Sequence, residues 1–586
     1  MSRLFRFLLL AVIALGVLVA CATPTPEPAP TKAPAPTTAP AQPTKAPEPT
    51  KAAAEPTKAP APTTAPAATK APEPTKAPAP TVAPTVASKV GGTLTLPAND
   101  PDTLDPHQTS NPSSYDVFAL IYETLVTEAP DGSYVGLLAD SWKISDDNKT
   151  ITFALRKDVK FTDGSAFNAE AVKFTFERIL RVGTKSPIQS TIKNIEKMDT
   201  PDANTFVMTM KDPYAPIFHD LANAYAGILS PSAVKAANDD IGRKPIGTGP
   251  YILKSWQTGQ LIVLERNANY VSSLKFFDNK GAPYIAERRF KIIPEYATQV
   301  ASLEAGEIDY LALQAQDVAK YGKDARFKIF DSFTTGLTYL GFDTKKAPFD
   351  NPKVRQALAY AVNKDEIVQV VFDGALAKVA CCAIAPSIQG YDAKLSQYEL
   401  KYDPAKSKQL LDDLGYKVSG KYRTAPDGKP FQPAIYTTTS NTHGKIATLL
   451  QAQFQAVGVD MQVKQMESGA LLALTPKAEH DLYLNGYSWN EPDMFSLFLS
   501  CDRLSGSNRV LYCNQDLEKL IVAGRTTLDQ TKRMQIYADA QKLVSQEAPW
   551  QPLYMNVNKV AVSAKLQGVK QDRTGGLLLH DAYFVK

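Results

Sequence analysis

The chain has 586 residues, 44% of them hydrophobic, with 44 prolines, five cysteines and a formal net charge of +4. That hydrophobic content sustains a buried core and excludes wholesale disorder, and the length calls for several domains or one large multi-layer body. Nineteen of the prolines fall between Pro24 and Pro84, and residues 1–90 hold nine basic and four acidic side chains, leaving 55 basic and 56 acidic residues in a nearly neutral body. Such a body has neither the basic domain nor the clustered basic stripes that nucleic-acid binding calls for.

Arg3 and Arg6 precede a 14-residue apolar run from Phe7 to Ala20. A membrane-spanning helix needs about 20 apolar residues and a secretory signal core about 7–15, so residues 1–20 read as an export signal. The run ends Leu18-Val19-Ala20-Cys21, which resembles the lipobox of bacterial lipoproteins, where the cysteine thiol carries a diacylglyceryl group. Residues 21–90 then repeat a Pro/Thr/Ala/Lys pattern: TKAPAPTTAP at 31–40 and 57–66, TKAPEPT at 44–50 and 69–75. With nothing apolar larger than Ala and Val, these repeats cannot stack into a solenoid core. Dense proline favours polyproline II at about 3.1 Å per residue, so roughly 65 residues reach on the order of 200 Å at full extension. The segment reads as a semi-rigid tether between a membrane and a soluble body.

Beyond the tether the pattern is mixed α/β. Residues 93–97 read as a strand, 113–126 as a helix, 150–155 and 205–210 as alternating strands, and Asn168 as the N-cap of an intervening helix. Asp350-Asn351-Pro352 opens a helix through residue 362, and Asp403-Pro404 opens another that Gly415 closes. A helix over 444–456 leads into a strand at 459–466, and a helix over 528–547 precedes strands at 551–555 and 557–563. Cys381, Cys382, Cys501 and Cys513 make an even number outside the cytoplasm, with three possible pairings. Cys501–Cys513 is favoured because it closes a short Ser/Gly/Asn-rich loop. Cys381 and Cys382 are then a vicinal bond or two thiols.

Catalytic and cofactor motifs are missing. There is no HExxH, no GxSxG and no Gly-rich phosphate loop ending in Lys-Ser or Lys-Thr, and His107, His219, His443, His480 and His580 are scattered. Gly247-Thr248-Gly249 lacks the third glycine of a dinucleotide fingerprint and reads as a tight turn before a strand. No metal and no cofactor are expected. A secreted hydrolase with carboxylates drawn from distant loops leaves no local pattern and stays as an alternative.

Ten segments in order resemble one family. They include GGTLTL (91–96), LDP (104–106), IYETLV (121–126), LADSW (138–142), FALRKDVKFTDGSAFNAEAVKFTFERI (153–179) and PIGTGPYIL (245–253). AGEIDY (305–310), LGFDTKKAPFDNPKVRQALAYAVNKDEIV (340–368), YDPAKSKQLLDDLGY (402–416) and EPDMFSLFLSCDRLSGSNRVLYCNQDLEKLI (491–521) continue the series. The body is similar to the family 5 solute-binding proteins of bacterial peptide, nickel and oligosaccharide ABC importers. The resemblance implies a three-domain Venus-flytrap fold of the periplasmic-binding-protein type, two lobes closing on a cleft. Domain I would comprise 91–120, 226–332 and 552–586, domain II 121–225 and domain III 333–551. It also implies a monomer held at the outer face of the membrane, delivering a solute to permease subunits served by cytoplasmic ATPases, and it matches a Cys501–Cys513 loop.

Specificity is then expected in cleft-facing loops: Tyr115, Phe333-Thr334-Thr335-Gly336, Tyr487-Ser488-Trp489-Asn490, and the loop at Cys381 and Cys382. Aromatic rings there would stack on peptide side chains or sugar faces, although Tyr487 and Trp489 at period two also fit a core strand. Peptide binders of the family place an aspartate three residues before the acidic-Pro pair, where Ser488 stands here. Dipeptide binders add an arginine after the strand that is here 434–440, where Asn441, Thr442 and His443 stand. Because a buried unpaired ammonium or carboxylate is costly, losing both anchors argues against a short zwitterionic peptide. A longer peptide held by its backbone, or a neutral oligosaccharide, fits better. Arg355 reads as structural.

Overall fold

In the computed structural model, residues 89–182, 186–504 and 506–585 are described. The export signal, Cys21 and nearly all of the tether lie outside them. Strand β1 (Thr93–Ala98) leads to helix α1 (Pro112–Phe118), capped by the Asn111 side chain with proline in its first turn. The helix ends well short of the expected residue 126. The carbonyls of Leu120 and Ile121 are turned out of the helix to accept Tyr251 N (3.1 Å) and Gly249 N (2.8 Å). This contact explains the Gly-Thr-Gly cluster. A Cβ on Gly247 would sit 2.1 Å from the Ile121 oxygen and one on Gly249 2.6 Å from it, so only glycine admits the approach.

Residues 125–228 pack around a core of their own. Its sheet takes the order β2 (Ala139–Ile144), β3 (Thr150–Leu155), β5 (Thr205–Met210), β4 (Ile195–Asp202), all antiparallel. Alternate residues of β3 and β5 are buried, as a sheet with one covered face demands. The cover is α2 (Ala169–Val182), which buries Val172, Phe176 and Ile179 at helical spacing. Asn168 caps it by accepting Ala171 N at 3.0 Å.

The chain then returns to β1. Strands β6 (Tyr251–Gln257), β7 (Leu261–Arg266) and β8 (Glu287–Ile292) form a meander whose last strand runs parallel to β1, giving the order β1-β8-β7-β6. The largest sheet comes next. It runs β9 (Tyr310–Leu313), β15 (Trp550–Ser563), β10 (Phe327–Phe342), β14 (Leu482–Ser488), β12 (Ala434–Thr438), β13 (Gln462–Met466), with β11 (Ala377–Val379) also on β15. The two segments expected at 551–555 and 557–563 are therefore one strand. Its partner β10 is 16 residues long, and the pair runs from one end of this sheet to the other.

Helices α3 (Pro352–Tyr360), α4 (Pro404–Asp413), α5 (Asn441–Ala456), α6 (Gln515–Thr526) and α7 (Gln530–Glu547) pack around that sheet. Asn351, Asp403, Ser440, Asn514 and Asp529 accept first-turn N–H groups at their respective starts, the pairing that first-turn amides require. Arg355 on α3 is 2% exposed. It donates to Phe349 O (2.7 Å) and Asp350 O (3.2 Å) on one side and to Glu547 O and Ala548 O (both 3.1 Å) at the end of α7 on the other. A cation at a helix C-terminus also meets the negative end of its dipole. No helix among the described residues is long and apolar enough to cross a membrane. Arg355→Met leaves those carbonyls without a donor and is expected to lower the unfolding free energy by ~3 kcal/mol. Solute affinity should stay within about twofold; denaturant titration and a binding titration check the pair of outcomes.

Candidate functional site

The site begins with a fault in a ladder. β10 pairs with β15 from Phe327 opposite Ser563 to Phe333 opposite Val557, then resumes at Leu337 opposite Met555. Thr334, Thr335 and Gly336 thus face the single residue Asn556, a bulge that bends the strand. On the other side of β10, pairing with β14 starts at Gly336 opposite Ser488. The fault brings two expected segments together. The Thr335 and Ser488 hydroxyl oxygens lie 3.0 Å apart, Trp489 N donates to Thr335 O at 3.4 Å, and Thr334 Oγ1 donates to Asn556 O at 3.2 Å.

Trp489 is 40% exposed. It borders a cavity of about 640 Å³ whose walls come from two regions: Thr191, Asp212 and Tyr214 on one side, Asp493 and Arg525 on the other. Asn490 is exposed and meets His219, whose pKa burial lowers. Phe333 is half-buried, with its N–H given to Thr574 O at 2.6 Å and the Lys378 ammonium 4.8 Å from its ring centroid.

Two expected cleft residues are placed elsewhere. Tyr487 is a core residue, 7% exposed, stacked 5.1 Å from Phe498 and donating its hydroxyl to Ala383 O. Period two in a strand puts it on the face opposite Ser488, and that face is the covered one. Tyr115 stands against Phe118 and Tyr225, centroids 5.5 and 5.3 Å away, and lines a separate cavity. Cys381 is bonded to Cys382 and Cys501 to Cys513. Asp493 does not supply the missing charge at Ser488. It accepts from Ser496 Oγ (2.8 Å) and Tyr537 OH (3.2 Å) and pairs with Arg525 (3.3 Å).

The groups that join the regions on either side of the cavity left no mark in the sequence. Arg573 donates to Glu128 Oε1 at 2.6 Å and to Ser387 O, and its own N–H reaches Pro130 O at 3.0 Å. Ser387 in turn donates to Thr334 O at 2.7 Å. Gln389 and Gln530 both donate to Gly132 O, and Ala215 N donates to Arg525 O at 2.7 Å. These partners lie up to 445 residues apart in the chain, beyond any local motif. Behind them Glu491 is paired with Arg533, and burial raises its pKa. Burial also pushes Asp493 up to about 6, with the Glu491 charge adding to the effect and Arg525 and the Ser496 hydroxyl opposing it. Among the described residues no group of three or more His, Cys, Asp or Glu side chains is placed to hold a metal ion.

The family model of the bacterial extracellular solute-binding proteins, family 5, matches residues 133–508. The chain belongs to that family. As a family 5 member it is 31% identical over 486 residues to the probable D,D-dipeptide-binding periplasmic protein DdpA of Escherichia coli K12, covering 80% of this chain and 90% of that one. It is 29% identical over 479 residues to the glutathione-binding protein GsiB of Salmonella choleraesuis, covering 80% and 89%. The structure of the oligopeptide-binding protein AppA of Bacillus subtilis with a nonapeptide superposes with a TM-score of 0.59 at 25% identity, covering 85% of this chain and all of that one. The fold is the three-domain α/β fold of periplasmic binding proteins, and the family is one of extracellular solute binders.

Asp493 contributes to the pH response of the family 5 body. A carboxyl whose folded pKa lies above its ordinary 3.8 contributes stability that is complete below that value and is lost as pH rises through about 6. Asp493→Asn is therefore expected to flatten the fall in melting temperature between about pH 4 and 6. Differential scanning fluorimetry across that range, beside the parent protein, checks it; an unchanged slope would contradict this assignment.

Proposed function

We propose that this chain is the substrate-binding subunit of an ABC importer, capturing oligopeptides between its lobes and handing them to a membrane permease. The observation that carries this reading is the strand fault at residues 334–336. It sets Thr335, Gly336, Ser488 and Trp489 on one edge, beside the Arg573 junction where the lobes meet. Hydroxyls and an exposed indole suit a peptide gripped by its backbone and one or two side chains. Relatives named for a D,D-dipeptide, for glutathione and for a bound nonapeptide support peptide as the solute class.

In this reading domain I is 91–120, 226–332 and 552–586, domain II is 121–225 and domain III is 333–551. Support comes from the core clusters, which fall within 125–228 (joined there only by Leu528), within 337–555, and in the remaining segments, where one cluster also takes in Ile121, Tyr122 and Ala224 of domain II. The boundaries at 332/333 and 551/552 cut β10 and β15, so those strands serve as the hinge. The lipobox reading of Leu18-Val19-Ala20-Cys21 supports anchoring through Cys21 at the outer face of the cell membrane.

Bound solute stabilises the folded state by RT ln(1 + [L]/Kd), so melting shifts report capture. Peptides of three to nine residues are expected to raise the melting temperature, and neutral oligosaccharides to leave it unchanged. Shifts with glycans alone would replace peptide by oligosaccharide as the solute. Trp489→Ala is expected to weaken the best peptide about tenfold, the loss typical of an aromatic anchor. Cys21→Ser is expected to release the protein from the membrane fraction into the soluble one.

A further inference from the structure

Six arginines among the described residues are buried: Arg156, Arg178, Arg288, Arg355, Arg423 and Arg533. Five are compensated. Arg156 pairs with Asp158, Arg178 with Asp105, Arg423 with Asp412 and Arg533 with Glu491, while Arg355 is held by carbonyls and Glu547. Arg288 is the exception. It is 9% exposed, its Nε has no hydrogen-bond partner, and no carboxylate of the described residues lies within ion-pair distance. The Tyr251 ring lies 5.0 Å from its guanidinium carbon. The two neighbours on β8 show why. Glu287 pairs with both Arg289 and Lys254 on the exposed face, and strand alternation sends Arg288 to the opposite, covered face.

That face borders a cavity of about 320 Å³ walled by aromatic and aliphatic side chains, including Tyr115, Tyr270, Phe277 and Leu579. A histidine and a carboxyl group share the wall. His580 stacks on Phe277 at 4.7 Å and has its Nε2 3.1 Å from Asn279 O. Glu123 accepts from Tyr270 OH at 2.8 Å, burial pushes its pKa up to about 7, and it lies outside ion-pair distance of Arg288. A buried cation without a partner is unfavourable until something anionic reaches it. A guanidinium fork fits a carboxylate through two parallel hydrogen bonds, and ring-lined walls suit an apolar body attached to one.

We propose that this cavity binds a carboxylate through Arg288. The carboxylate belongs either to a small aromatic or aliphatic acid or to the captured peptide. The second source rests on the peptide reading above, and the first does not.

Isothermal titration of benzoate and of neutral benzamide into the purified protein, Arg288→Met and Arg288→Lys tests it. Saturable benzoate binding is expected, with benzamide at least tenfold weaker, Arg288→Met at least tenfold weaker and Arg288→Lys between the two. The same variants are titrated with the best peptide as free acid and as C-terminal amide. Dependence of the free acid on Arg288 assigns the carboxylate to the peptide. Peptide binding indifferent to both changes, beside Arg288-dependent benzoate binding, assigns it to a separate acid. Benzoate bound with no peptide bound upholds this site and removes the peptide reading alone. If neither benzoate nor the free-acid peptide depends on Arg288, the proposal is overturned.

Discussion

Everything between the lobes hangs on one pair of strands. β10 and β15 are hydrogen-bonded to each other along nearly their whole length, and a two-strand ladder resists shear far better than it resists bending at a fault. The partners lose step at two places, residues 334–336 and between Thr338 and Tyr339, and the first of these is where Thr335 and Ser488 meet. In the reading proposed above, recognition and hinge motion share these few residues, which is the condition for a solute to shift an open–closed equilibrium.

Charge is arranged to the same end. Most buried cations carry their own partners, and Arg178 holds Asp105 and Asp239 together within one lobe. Arg573 differs because its partners Glu128 and Ser387 come from separate regions. Its pair with Glu128 is only partly buried, the two side chains being 15% and 30% exposed, so exchanging those hydrogen bonds for water costs little.

How far the sequence revealed this depends on the distance over which each signal acts. Local chemistry was legible: the caps at Asn168, Asn351 and Asp403, the alternation in β3 and β5, and the Gly-Thr-Gly turn all act over a few residues. The family resemblance carried the fold class. The helix at 113–126 was overextended because its end is decided by Gly249 and Tyr251, which lie over 120 residues away. Period two marked both Tyr487 and Trp489 and cannot say which face is covered; the packing of Phe498 and Trp550 decides that. Arg573, Glu128 and Ser387 were invisible for the same reason, since each is an ordinary residue until the fold assembles them.

The position of β15 has a consequence for biosynthesis. The strand lies between β9 and β10 in its sheet, yet about 200 residues separate the emergence of β10 from that of β15. At roughly 5–20 residues per second, the earlier strands wait on the order of 10–40 s for the strand that joins them. Until then β9 has no partner in that sheet and the segment before the fault has none on either side. Reserving a central strand for the last tenth of the chain keeps the lobe unfinished until synthesis is nearly complete.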